Sequence, residues 1–449
     1  MKAKFFELAE FANGLLRGSE VLLANLAAEQ SNFVRLNRAR VRQPMSVRQA
    51  YLTLDLIDGK RRNALTLTLT GEMKSDRDAV KDAIATLRAD LPALPEDPYL
   101  LYATAPASSE RTESGGLPAP AEALDAILTV AQGIDLVGFF ASGPVYRGFA
   151  NSLGSRHWHA VESFNFDWSI YQGGAKVEKN DARDRAVKSA YAATHWDSNE
   201  ARRRIEATRA QLGHLTRPAR AIEPGAYRVF LAPAALDELL SMLNWAGVSA
   251  KAQRTKQSAL QKLADGEAVL SPKFTLRELT AEGLAPAFDA MGFVKPPAVD
   301  LINAGRHAGA LVSPRTAREY GIETNGAGDG ETMGSMDVGA GNLAGADALA
   351  ALDRGIYVSN LWYLNFSDRT NGRVTGMTRF ATFWVENGKI AGPLSVMRFD
   401  DSLYRMLGAN LVDLTRERDW ILSTSTYDRR SVETSRVPGA LLSELTFTL

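Results

Sequence analysis

The sequence predicts an α+β protein of two domains: an α+β amino-terminal domain over residues 1–217, and a β-rich carboxy-terminal domain over 222–449 with a large curved antiparallel sheet. Three observations carry this. Helical spacing and strand alternation are interleaved through the first half, and strand-like runs dominate the second. Pro218 and Pro224-Gly225 punctuate the passage between them. With 449 residues, 45% of them hydrophobic, the chain can fill two or three cores.

In chain order, Leu8, Ala12, Leu15 and Leu16, then Leu22, Leu23 and Leu26, recur at three or four and predict helices over 5–28. Over 33–42, Arg38, Arg40 and Arg42 alternate with Ala39 and Val41, which predicts a strand with one basic face. Residues 51–70 set Leu52, Leu54 and Leu56 against Leu65, Leu67 and Leu69 around Asp58-Gly59, the pattern of a β-hairpin. Ser75 precedes Asp78 as in a capping box, and Val80, Ile84, Leu87 and Leu91 form a helical stripe that stops before Pro92. The Ser-, Pro-, Gly- and Glu-rich stretch 105–120 reads as a long loop or linker, and 121–132 as a helix. Residues 136–170, punctuated by Gly143, Gly148 and Gly154, read as several antiparallel strands, and 183–211 as helical. A short strand over 227–231 leads into a helix over 234–246 with Leu236, Leu239, Leu240 and Leu243 inward. Residues 355–365, 375–385 and 441–449 are strand-like, with Asn387-Gly388 as a hairpin turn.

Composition narrows the chemistry. Fifty-two basic residues balance 52 acidic ones, so no global field draws the chain to nucleic acid or to an anionic membrane, and neither is expected as a partner. Zero cysteines exclude disulfides, zinc knuckles, iron–sulfur clusters and thiolate nucleophiles. Glu7 and Glu10 break the apolar start before a signal segment develops, and no window supplies the roughly 20 apolar residues of a membrane span. The expected address is the cytoplasm.

Specific motifs are sparse. Neither Gly59-Lys60-Arg61 nor Gly388-Lys389-Ile390 completes a P-loop, and the glycine-rich stretch from Gly326 to Gly345 lacks dinucleotide spacing and reads as a flexible loop. No Gly-x-Ser-x-Gly elbow is present. His157 and His159, separated by Trp158, would share one strand face as two metal ligands could, although no third ligand is evident. His195-Trp196-Asp197 offers a base and an orienter in sequence only. Asp400 and Asp401 suit acid–base work only if burial separates their pKa values, and a solvated turn is the plainer reading. Arg38, Arg40 and Arg42 could hold a peptide carboxylate or an acidic partner surface.

Several segments, in order, resemble the TldD/PmbA family, known also as peptidase U62 or "modulator of DNA gyrase". Ser31-Asn32-Phe33-Val34-Arg35-Leu36-Asn37 resembles its early strand, and Asp135-Leu136-Val137-Gly138-Phe139 and Asn151-Ser152-Leu153-Gly154 its central region. Gly225-Ala226-Tyr227-Arg228-Val229-Phe230-Leu231-Ala232-Pro233 resembles the strand that leads into the helix of its carboxy-terminal domain. Gly355-Ile356-Tyr357-Val358 and Trp384-Val385-Glu386-Asn387-Gly388-Lys389-Ile390 resemble its late strands.

In catalytic members that helix carries His-Glu-x-x-x-His, whose histidines bind zinc and whose glutamate activates water, with a later cysteine completing the site. Here it reads Leu236-Asp237-Glu238-Leu239-Leu240-Ser241-Met242-Leu243-Asn244, without either histidine, and Glu238 reads as an ordinary helix residue. The resemblance therefore implies a non-catalytic, PmbA/TldE-like subunit that binds no cofactor itself. It would pair with a TldD-like zinc-peptidase subunit, or with itself, around an unfolded peptide. The alternatives are an independent hydrolase with a divergent site at His157 and His159, and a peptide-binding or self-assembling protein without catalysis.

Overall fold

In the computed structural model, which describes residues 1–172 and 185–448, the strands fall into two sheets that share no strand pairing. The first comprises β1 (Val21–Asn37), β2 (Arg40–Asp58), β3 (Arg61–Thr68), β4 (Ser108–Glu113), β5 (Asp135–Asn151), β6 (Arg156–Tyr171) and β7 (Ala186–Ala193). Its order is β3-β2-β1-β5-β6-β4. β4 runs parallel along the first half of β6, and β7 antiparallel along the second half.

One face of this sheet is covered by helices. α1 (Lys2–Asn13) and α2 (Met73–Asp90) bury Phe5, Leu8, Val80, Ile84 and Leu87 against Leu22, Leu26, Leu52 and Leu54. α3 (Pro120–Val130) and α4 (Ser198–Leu212) cover Phe140, Phe164, Phe166 and Trp168. Gly148 lets the α1 helix lie close, since a Cβ there would stand 2.7 Å from the Phe5 ring. The opposite face meets the carboxy-terminal half: Val145, Val161 and Ala192 pack on Leu284, Leu422 and Val432, and Leu23, Ile57 and Phe149 on Phe288.

The second sheet contains β8 (Gly225–Leu231), β9 (Leu276–Glu278), β10 (Val299–Asn303), β11 (Arg306–His307), β12 (Ser335–Val338), β13 (Gly355–Asp368), β14 (Arg373–Glu386), β15 (Lys389–Pro393), β16 (Arg398–Ser402), β17 (Leu411–Leu422) and β18 (Thr434–Phe447). Its order is β11-β10-β9-β12-β18-β16-β14-β13-β8, and β8 pairs again with β18, so the curvature runs to closure. Most pairings are antiparallel, while β12–β18 and β8–β13 are parallel. Inside lies α5 (Pro233–Ser241), with Ala235, Leu236, Leu239 and Leu240 buried.

The structure is thus α+β with two large sheets, and it corrects several local expectations. Leu22 and Leu26 lie on a strand: with Ala24 and Ala28 they alternate toward the helices, and the same leucines also fit a helical spacing. Arg38, Arg40 and Arg42 do not share one strand. Arg38 and Ala39, at φ 52° and 51°, form the turn between β1 and β2, and only Arg40 and Arg42 alternate on β2. Residues 105–120 contain β4, whose ladder to β6 the polar composition concealed. Residues 136–170 form two long strands rather than several. The helical reading of 183–211 covers a real strand, β7, before α4, and its residues 183 and 184 lie outside those described, as does Leu449 of the last predicted strand. α2 begins after Glu72 without a side-chain cap from Ser75 or any other residue; Asp76, in its first turn, accepts from the Thr70 and Gly71 amides of the preceding loop at 2.8 and 3.0 Å. The 51–70 hairpin and the Asn387-Gly388 turn form as predicted.

Candidate functional site

A cleft of about 780 Å³ opens between the two halves. β7 and α4 form its amino-terminal wall, and α5, β13 and the facing ends of β17 and β18 form the other. On α5 the apolar positions turn into the sheet, leaving Asp237, Glu238 and Ser241 on the cleft side. Glu238 uses both carboxylate oxygens on β13: Oε2 accepts the Leu361 amide, and Oε1 accepts Asn360 Nδ2 at 3.3 Å. Burial pushes Glu238 up to about 7 despite those donors, with the negative charge of Asp237 adding to the effect. Burial also raises Asp237 to about 6, with the Ser435 hydroxyl pulling the other way.

The basic side chains of the opposite wall are already engaged. Lys188 lies 2.6 Å from Asp167; Arg203 and Arg204 hold Glu200 at 2.7 and 2.6 Å, and Arg204 reaches Asp419 at 3.2 Å. Among the described residues no cation lies within 4 Å of Asp237 or Glu238. The cleft therefore presents two acids poised to change protonation near neutrality, able to receive an amine or to donate to a carbonyl. β7 pairs only with β6 among the described residues, and its other edge borders the cleft, where the Ala190 carbonyl accepts Arg204 Nη1 at 3.0 Å.

The residues singled out from sequence lie elsewhere. His157 and His159 do share a face of β6, but both are buried beneath the carboxy-terminal half. His157 stacks on Phe288 with ring centroids 5.1 Å apart and hydrogen-bonds Ser109 through Nδ1 at 2.8 Å. His159 donates Nε2–H to the Leu284 carbonyl at 3.0 Å, and burial with the nearby Arg111 lowers it to about 4, so it is neutral. Among the described residues no group of three or more His, Asp or Glu side chains is arranged to hold a metal. Asp197 caps α4, accepting from the Asn199 and Glu200 amides. Asp400 and Asp401 sit in β16 rather than in a solvated turn. Asp400 pairs with Arg373, and the fully buried Asp401 accepts from Thr446 and Ser402, because β16 is held between β14 and β18. Arg38, Arg40 and Arg42 are exposed and stand apart from the cleft lining.

Glu238, an ordinary helix residue by its sequence, lines the cleft with both oxygens on β13 donors. The available signal was the adjacent acids on the one face of α5 that the leucine spacing leaves outward.

An α+β chain whose closed sheet surrounds a short helix, with that helix facing an interdomain cleft, defines a class of two-domain proteins. Residues 224–449, half of the chain, match the family model described as the PmbA/TldA metallopeptidase C-terminal domain, and the chain belongs to the TldD/PmbA family. The fold resembles that of TldE from Thermococcus kodakarensis, with a TM-score of 0.81 at 16% identity over 99% of this chain and 100% of that one. It also resembles candidate modulators of DNA gyrase from Thermotoga maritima (TM-score 0.73, 16% identity, 100% and 99% covered) and Bacteroides thetaiotaomicron (0.75, 16%, 100% and 98%). No curated protein matches the sequence. Among the described residues no helix is long and apolar enough to cross a membrane.

Proposed function

We propose that this chain is the non-catalytic subunit of a cytoplasmic TldD/TldE-like metalloprotease complex, holding unfolded peptide beside a zinc-bearing partner subunit. The observation that carries the reading is Glu238. It lies on the helix where catalytic relatives place the water-activating glutamate, yet both of its oxygens are taken by β13 donors and no histidine shares its helix. The cleft side of α5 offers carboxylate, hydroxyl and amide oxygens and no imidazole, and the chain has no cysteine, so the donor set does not fit that zinc site.

Peptide holding is supported by the β7 edge along the cleft, which has no second strand partner among the described residues and can add an extended strand with little side-chain selectivity once Arg204 leaves the Ala190 carbonyl. Asp237, on the opposite wall, can meet an amide or amine group. Arg38, Arg40 and Arg42, exposed at the β1–β2 turn, are the proposed contact for the partner or for a peptide carboxylate.

The test is metal analysis and peptidase assay of the purified chain, alone and mixed with a family member that carries His-Glu-x-x-x-His. Zinc below one-tenth of stoichiometry, no hydrolysis alone and stable co-elution with the zinc subunit are expected. Stoichiometric zinc, or hydrolysis by the lone chain, would overturn the reading.

A further inference from the structure

A second interdomain cleft, of about 500 Å³, lies over the face of the first sheet that meets the carboxy-terminal half. Arg147 on β5 and Arg429, from the loop between β17 and β18, both line it. Neither has a carboxylate within 4 Å among the described residues, and the positive charge of Arg429 acts against that of Arg147 across the cleft they share. Arg147 donates Nη1 only to carbonyls, of Tyr146 at 2.9 Å and Ala28 at 3.5 Å. Burial, with the charge of Arg429, lowers it to about 10.

The one opposite charge acting on Arg147 is that of Glu29, which is occupied. Its oxygens accept Ser31 Oγ at 2.7 Å, Gln49 Nε2 at 2.6 Å and the Arg430 amide at 3.3 Å. Glu29 must also serve Arg430, which is 3% exposed: Arg430 Nη2 holds Ser163 Oγ at 2.7 Å and two carbonyls, while its Nε and Nη1 have no partner. Of the cleft's own carboxylates, Asp289 is turned onto the Met291 and Phe293 amides, each at 2.9 Å, and Asp428 forms no ion pair among the described residues. Glu29 thus serves two buried guanidinium groups, Arg147 and Arg430, while Arg429 adds a further positive charge at the cleft, an arrangement that leaves Arg147 and Arg429 available to an anion.

We propose that this cleft binds a small oxyanion, a carboxylate or a phosphate, between Arg147 and Arg429. The planar forks of arginine suit both groups, and the ligand replaces repulsion with charge-assisted hydrogen bonds. This site does not depend on the peptide cleft.

The experiment is calorimetric titration of the intact chain with inorganic phosphate, N-acetylglycine or N-acetylglycinamide, at ionic strength held constant with chloride. Saturable binding of phosphate, of N-acetylglycine or of both is expected, with none for the neutral amide. Phosphate alone would assign a phosphate ligand, and N-acetylglycine alone a carboxylate. Arg429→Gln should weaken binding by about tenfold or more. Its thermal midpoint without ligand should equal or exceed that of the parent, because an exposed like charge has been removed. The proposal fails if neither anion saturates, if the neutral amide binds equally well, or if a folded Arg429→Gln variant binds as tightly as the parent.

Discussion

The two faces of the amino-terminal sheet solve different problems. The face under the helices is almost wholly apolar, with Phe164, Phe166, Trp168 and Ile170 along β6. The face toward the carboxy-terminal half buries Glu29, His157, His159, Ser163 and Asn165, each tied to a specific partner. Apolar packing is non-directional and supplies stability, whereas buried polar groups are costly unless matched. The contrast teaches that the interdomain face is built for one particular docking, and both clefts open along it.

The largest effect should come from the helix-covered face. Trp168→Ala removes a fully buried ring stacked 4.3 Å from Phe166 and should cost about 3–5 kcal/mol in denaturant unfolding. On the other face, Asn165→Ala loses bonds to the Leu422 and Ser423 carbonyls and should cost about 1–3 kcal/mol. Equal losses would erase the distinction between the faces.

Acidity should separate the interdomain face from the α5 wall by sign. His159 is neutral when folded, with its pKa lowered to about 4. The unfolded chain therefore binds more protons between roughly pH 6.5 and 4, and stability from this group falls as pH falls through that window. Glu238 behaves oppositely. Raised to about 7, it favours the folded state below its unfolded pKa, and this contribution is lost as pH rises from about 4.5 through 7. Thermal melts across pH 4–8 should show Glu238→Gln gaining on the parent as pH rises, and His159→Gln gaining as pH falls. Slopes of the same sign in the two difference curves would contradict the two environments.

The smallest effect belongs to the exposed turn. Arg40→Ser with Arg42→Ser should change stability by no more than about 0.5 kcal/mol. The same pair should weaken co-elution with a zinc subunit, and unaltered co-elution would remove these residues from the proposed interface.

Legibility followed the range of the interactions. The 51–70 hairpin and the Asn387-Gly388 turn were readable because turn chemistry and alternation act within a few residues. β4 was hidden because a polar edge strand is stabilised by a ladder to β6 some 48 residues away, as between Ser108 and Arg156. Leu22 and Leu26 misled because three leucines over five residues fit either period. At the candidate site, the missing histidines on α5 were plain, whereas the cleft environment of Asp237 and Glu238 was not.

The sequence by itself determined which local elements could form and which donors are missing: absent cysteines and an α5 without imidazole are facts of composition and order. Tertiary structure alone decided that Glu238 is bound to β13, that His157 and His159 are buried, and that Arg147 and Arg429 line one cleft. Those facts depend on burial and on charges brought together from distant segments, and the free energy of a charge is set by its surroundings in space rather than by its neighbours in the chain.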